Sequence, residues 1–263
     1  MNESQFFNKG WCRFKHDKTL MQWIDRVLPC ARKTVVAGEN AKWLRCGGTW
    51  FAGVNVLPNA ADGSVCGSGA IQGEVIDFIR QTLGFDGFDW DQAQVSVCYP
   101  GYPQPMPSES EAAFIYRRDH DAAHIDGLIP EGPKRRRHLR EHHGFILGIP
   151  MVEYGPGASP LVVLEGSHEI IREVFTEVFQ DVAVDQWGDI DITGVYHEVR
   201  YRIFECCKRV EIYARPGEAY LMHRLALHGI APWQSGASAT DDGRMIVYFR
   251  PETGGPEGWL FNP

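Results

Sequence analysis

The stretch His124-Ile125-Asp126 constrains this chain more than any other. It sets an imidazole and a carboxylate two residues apart. On an extended strand side chains alternate between faces, so His124 and Asp126 point the same way. On a helix, positions two apart do not face each other, and the pair could not share a ligand. If both groups serve one centre, the chain around them is a strand and a third group has to arrive from elsewhere. His228, in Leu227-His228-Gly229, is the best candidate. His223 and His228 would face opposite sides of a continuous strand, so only one of them is expected at the centre.

Two imidazoles and one carboxylate form the facial set that suits Fe(II) and leaves coordination positions open. A 2-oxoacid such as 2-oxoglutarate chelates two of those positions and O2 takes the third. The far carboxylate of 2-oxoglutarate then needs a fixed cation, and arginine binds carboxylate through two parallel hydrogen bonds. Arg244 opens the segment Arg244-Met245-Ile246-Val247-Tyr248-Phe249-Arg250, the clearest strand in the chain. Arg244, Ile246, Tyr248 and Arg250 share one face of it; Met245, Val247 and Phe249 share the other. Tyr248 therefore accompanies Arg244 as a pocket or cosubstrate residue.

Other strands are expected at Gln94–Tyr99, Ala112–Arg118, Phe145–Pro150, Leu161–Leu164 and Gly217–Arg224. Leu20, Trp23, Ile24, Val27 and Leu28 recur at helical spacing after an Asp17 cap, and Pro29 closes the segment. Val75 to Leu83 gives a second helix with Gly84 as its stop. A third starts at Ser167, read as its N-cap, with a stripe from Ile170 to Phe179. Residues 46–71 read as loop with at most one strand, and the Gly/Pro-rich tail after Pro251 reads as irregular.

Length and charge bound the rest. The chain has 263 residues and a net charge of −8, which argues against nucleic acid as the main partner. Seven cysteines, with no Cys-x-x-Cys, imply neither a zinc site nor a disulfide framework and fit a reducing compartment. Cys206-Cys207 reads as neighbouring buried thiols. The N-terminus has no apolar signal-peptide core and no run approaches a membrane span. These features lead to the expectation of a cytoplasmic protein with a small-molecule substrate, its oligomeric state left open. Its single domain spans 1–263, with a helical part over about 1–90 and a barrel over about 91–251.

Two motifs have readings of their own. Lys134-Arg135-Arg136-Arg137 is a solvated loop or, alternatively, an anion clamp. His138-x-x-Glu141-His142 matches the inverted zinc-peptidase pattern, which needs both histidines on one helix. A zinc hydrolase is thus one alternative function, and a catalytically silent ligand-binding barrel is another.

The ordered set of motifs resembles the phytanoyl-CoA dioxygenase-like family of Fe(II)/2-oxoglutarate oxygenases. The matching pieces are Phe7…Gly10-Trp11, His124-Ile125-Asp126 and the segment Pro160 to His168, which ends Glu165-Gly166-Ser167-His168. Gly217 to His223, His228-Gly229…Pro232 and Arg244 at the head of the last strand complete it. The resemblance implies a double-stranded β-helix, a mainly β jelly-roll barrel with flanking helices. It implies His124, Asp126 and His228 as iron ligands and Arg244 as the 2-oxoglutarate anchor. Because the family's halogenases lack the carboxylate, Asp126 favours hydroxylation with release of succinate and CO2. The chain departs from the family pattern at Glu165, Ile230 and Trp233, so the family's fatty-acyl substrate is not carried over.

Overall fold

Strands from both ends of the chain meet in the largest of three sheets. The computed structural model describes residues 2–107 and 109–263. The larger sheet contains β1 (Trp11–Phe14), β2 (Leu44–Arg45), β3 (Trp50–Phe51) and β4 (Gln94–Cys98). A small hairpin follows, β5 (Leu128–Glu131) with β6 (Arg136–Leu139), and then β7 (Phe145–Pro150) returns to the larger sheet. The second sheet is built from β8 (Leu161–Glu165), β9 (Lys208–Ile212) and, after β10 (Ala219–His223), β11 (His228–Ile230). The last strand, β12 (Arg244–Phe249), lies inside the larger sheet. The seven-stranded order is β1-β10-β7-β12-β4-β3-β2 and the three-stranded order is β11-β8-β9. All pairings are antiparallel. This is the mainly β, double-stranded β-helix arrangement with flanking helices.

The pleat sorts the side chains into three layers. Between the sheets lie Ile146 of β7, Tyr220 and Met222 of β10, Ile246 and Tyr248 of β12, and Leu161 and Val163 of β8. Outside the larger sheet, Leu147, Ile149, Met245, Val247 and Phe249 pack on α2 (Lys18–Val36) and α3 (Glu74–Gln81), which follow α1 (Asn2–Lys9). Outside the smaller sheet, Val162 and Leu164 pack on helices that come after α4 (Glu111–Asp119). These are α5 (Ser167–Phe179), α6 (Thr193–Cys206) and the C-terminal α7 (Gly255–Phe261). A sheet covered on both faces needs apolar residues at consecutive positions, which is why β7 and β12 are buried throughout. The two-faced reading of Arg244 to Arg250 holds.

Several expectations fail for identifiable reasons. Ala112–Arg118 is the core of α4, because the Ser110 hydroxyl caps it from Ala113 N and Glu111 suits the first turn. Pro29 lies inside α2, which continues because Cys30 and Ala31 keep the buried stripe going. The tail forms α7, which starts from Gly254 at φ +76° and carries Pro at its first turn, where a missing N–H costs nothing. Cys30 and Cys66 form a disulfide, contrary to the expectation of unpaired thiols; it joins α2 to a loop remote in sequence. Cys206 is exposed rather than buried. The residues before 91 are not only helical, since β1, β2 and β3 all join the larger sheet. No helix among the described residues is long and apolar enough to cross a membrane.

Gly148 in β7 is required by a close approach: a Cβ there would run into the ring of Tyr220. Gly148→Ala is expected to destabilise the fold by about 1–3 kcal/mol through overpacking. Urea unfolding measures it, and an unchanged midpoint would count against this packing.

Candidate functional site

His124 and His228 are joined by the backbone before their side chains meet. The two residues form an isolated antiparallel bridge, with His124 N donating to His228 O at 2.7 Å and His228 N donating to His124 O at 3.1 Å. The expected strand around His124 is thus reduced to one bridge, after which Asp126-Gly127 turns into β5. Gly229 makes the bridge possible, because a Cβ at that position would collide with the carbonyl of Asp121 and the backbone of Ala123. The His-Gly dipeptide therefore has a steric origin.

Each imidazole is fixed by the nitrogen that faces away from the site. His124 Nδ1 lies 3.0 Å from Ala122 O, and His228 Nδ1 lies 2.9 Å from Ala226 O. A carbonyl only accepts, so both Nδ1 atoms carry a proton and both Nε2 atoms are turned towards Asp126. The rings lie 4.8 Å apart between centroids. Asp126 sits between them, Oδ1 at 3.2 Å from His124 Nε2 and Oδ2 at 3.8 Å from His228 Nε2. The donor atoms of His124, Asp126 and His228 all lie within 4.8 Å of one another, and this is the one such group of three among the described residues. Two imidazoles and one carboxylate fit a divalent first-row metal.

Burial and charge set the protonation states. Burial raises the pKa of Asp126, but the Arg250 charge and the two flanking imidazoles outweigh it and hold the carboxyl well below its usual range. Burial pushes His228 down to about 4 against the pull of Asp126, so this ring is neutral at pH 7. Arg250 is the permanent cation of the group, with Nη1 3.3 Å from Asp126 Oδ2.

The group opens into a cavity of about 170 Å3 between the sheets, walled by Trp50, Ile146, Leu161 and Ile230, with Tyr248 and Arg250 at its edge. A wider groove near Trp11, Phe78 and Tyr213 contains none of these groups. Arg244 lies in the barrel interior and is 0% exposed. Its Nη2 donates to Tyr248 Oη at 3.3 Å, while Nε and Nη1 have no partner. Tyr220 Oη also donates to Tyr248 Oη, at 2.8 Å, which leaves the Tyr248 proton available.

The remaining sequence candidates fall elsewhere. His138 lies on β6 and Glu141 and His142 follow it without helix, so the zinc-peptidase platform is missing. Glu141 instead pairs with His143 at 3.0 Å. Arg136 pairs with Asp191 and Arg137 stacks on Tyr196, and no residue of the basic run lines the cavity. His223 is buried on β10, where its Nδ1 accepts from Leu225 N at 3.0 Å and its Nε2 meets Arg172.

Sequence reading missed two supports. Ser167 does not cap α5; Gly166, at φ +83°, precedes the helix. The Ser167 hydroxyl accepts instead from Leu227 N at 2.9 Å, next to His228. Glu165 accepts from Trp11 Nε1 at 3.0 Å and His168 bonds Phe7 O at 2.9 Å. The Glu-Gly-Ser-His segment thus ties the N-terminal strand and the His228 strand together. The other missed group is Arg250, whose only sequence signal was its place on the inward face of β12. Ser167→Ala leaves the buried Leu227 N–H unpaired and is expected to cost about 1–3 kcal/mol. Chemical denaturation checks it; an unaltered stability would show that water replaces the hydroxyl.

No protein-family model matches the sequence, and no curated protein does. Solved structures do. AviO1 from Streptomyces viridochromogenes Tue57 aligns with a TM-score of 0.53 and 12% identity, over 97% of this chain and 95% of its own. EvdMO1 aligns at 0.50 and 11% over 95% of this chain, which spans 49% of EvdMO1. SnoK, a non-heme alpha ketoglutarate dependent carbocyclase from nogalamycin biosynthesis, aligns at 0.49 and 11%, over 95% of this chain and 83% of its own. At these identities the similarity is one of fold, and by fold the chain stands with AviO1 and EvdMO1 as a double-stranded β-helix protein.

Proposed function

We propose that this chain is an Fe(II)- and 2-oxoglutarate-dependent dioxygenase that hydroxylates a small organic substrate. The observation that carries the reading is a pair of features in one interior. Two imidazole Nε2 atoms and a carboxylate converge on one point, and a fully buried guanidinium on the neighbouring sheet has no counter-anion. A buried cation without a partner costs several kcal/mol, and a bound carboxylate removes that penalty.

In this reading His124, Asp126 and His228 hold the metal. Arg244 takes the far carboxylate of 2-oxoglutarate through Nε and Nη1, the atoms without partners. Tyr248 offers its remaining proton to the same carboxylate. Fe(II) held there supplies redox chemistry, by which O2 oxidises 2-oxoglutarate to succinate and CO2 and a substrate C–H bond to an alcohol. The chain's part is to bind, orient and exclude water. Nδ1 bonds to Ala122 and Ala226 keep both imidazoles in the ligating tautomer. The apolar walls Ile146, Leu161 and Ile230 would limit water within the cavity. The cavity volume limits what enters beside the cosubstrate to a small molecule or the reactive end of a larger one.

Anaerobic titration with Fe(II) and 2-oxoglutarate tests the proposal. A saturable visible charge-transfer band is expected, absent in His124→Ala and Asp126→Ala. Arg244→Met is expected to weaken 2-oxoglutarate by about 10–100-fold while metal binding persists, in line with the loss of a buried charge-assisted pair. Failure to form the band would leave the ligand-binding barrel as the better reading. In a substrate screen, Asp126→Ala is expected to lose all coupled succinate release; retained hydroxylation in that variant would sink the assignment.

A further inference from the structure

Arg250 and Asp126 come from distant parts of the chain and meet inside it. The Arg250 side chain is 14% exposed and that of Asp126 9%, with Nη1 to Oδ2 at 3.3 Å. Three features hold the guanidinium there. It follows β12, on the same face as Arg244 and Tyr248. Its backbone N donates to Asp91 Oδ1 at 2.9 Å, which fixes the end of the strand. Glu141 and Asp91 add negative charge beside it. Glu141 is engaged by His143, so Asp126 is the carboxylate that Arg250 bonds directly through its side chain.

A carboxylate can bind a metal through one oxygen or two. Two would occupy one of the positions that a chelating cosubstrate and O2 need. Asp126 lies in a turn, so strand pairing does not fix its backbone, and its carboxylate is held by side-chain contacts alone. Its Oδ1 faces His124 Nε2, and its Oδ2 is the atom that Arg250 engages.

We propose that Arg250 is a positioning residue of the metal centre: it holds Oδ2 of Asp126 and leaves Oδ1 to the metal, so that Asp126 ligates through one oxygen. The inference rests on the metal-site reading above. It adds a role that the sequence motif does not carry. The arginine neutralises the carboxylate in the empty site and restrains its rotation. Partners that hold a ligating side chain in this way typically contribute about 10–100-fold to metal affinity.

Co(II) without cosubstrate is the probe, because its visible spectrum reports coordination number and its titration gives a dissociation constant. Arg250→Met is expected to bind Co(II) about 10–100-fold more weakly than the native chain, with an altered band intensity and a retained thermal transition. Arg250→Lys keeps the charge but not the planar fork and is expected to recover part of that loss while still binding Co(II) more weakly than the native chain. A purely structural role would shift the thermal midpoint and leave the Co(II) spectrum of the folded protein alone. Native affinity and spectrum in Arg250→Met, or no recovery in Arg250→Lys, would overturn the proposal. If Arg250→Met does not fold, Arg250→Lys decides alone: weakened binding supports the role and native binding refutes it. Native protein that binds no Co(II), or binds it equally well as His124→Ala, would overturn the metal-site reading itself rather than the role of Arg250.

Discussion

The backbone bridge between His124 and His228 is the contact on which the rest of the site depends. Two hydrogen bonds of this kind contribute only about 1–3 kcal/mol net. Their consequence is geometric: they fix two imidazoles from opposite ends of the barrel sequence at one spacing. The bridge in turn needs Gly229, which has no Cβ to obstruct the Asp121–Ala123 backbone. It needs Ser167 as well, which anchors Leu227 one residue before His228. Small residues are therefore as necessary to the centre as the groups that would ligate a metal.

The two arginines on the inward face of β12 have different fates. Arg250 faces Asp126 and its charge is matched within the fold. Arg244 is surrounded by Tyr154, Tyr220 and Tyr248, and its closest polar partner is a neutral hydroxyl. Both stay protonated, since guanidinium does not lose its proton in proteins. A fold that matched every charge would have placed an acid beside Arg244. That it pairs one arginine and leaves the other with two open donors argues for an anionic ligand at Arg244, and for a purely internal role at Arg250.

Much of this was legible in the sequence, and the reasons for the rest are physical. The alternation in Arg244 to Arg250 revealed both faces of β12, because two different environments select different residues at odd and even positions. His124-x-Asp126 gave a shared direction even though the strand shrank to a bridge, since the requirement is local extension rather than length. Ala112–Arg118 was misread because alternation over so few residues does not distinguish a strand from a solvent-facing helix, and the Ser110 cap decided it. The Cys30–Cys66 bond was invisible because spacing does not reveal which thiols the fold brings together. Ser167 and Arg250 were missed for the same reason: each acts on a residue far away in sequence, and only the packed structure brings them into contact.

The single strand β12 also orders the polar groups of the interior, two of which, Tyr248 and Arg250, line the cavity while Arg244 lies outside its lining. Alternate residues on one face of a strand lie roughly 7 Å apart, so Arg244, Tyr248 and Arg250 form a line roughly 20 Å long at the backbone. Exposure rises along that line, from 0% at Arg244 through 6% at Tyr248 to 14% for the Arg250 side chain. The centre lies towards the Arg250 end, where Asp126 and His228 are buried and the His124 side chain is 46% exposed. A cosubstrate seated on Arg244 would therefore approach the metal from the closed end of the barrel. The substrate would have to enter from the His124 side, the one side of the triad that solvent reaches. On the proposed reading, changes in substrate choice would belong to the residues around His124 and Trp50, whereas changes near Arg244 would alter cosubstrate binding instead.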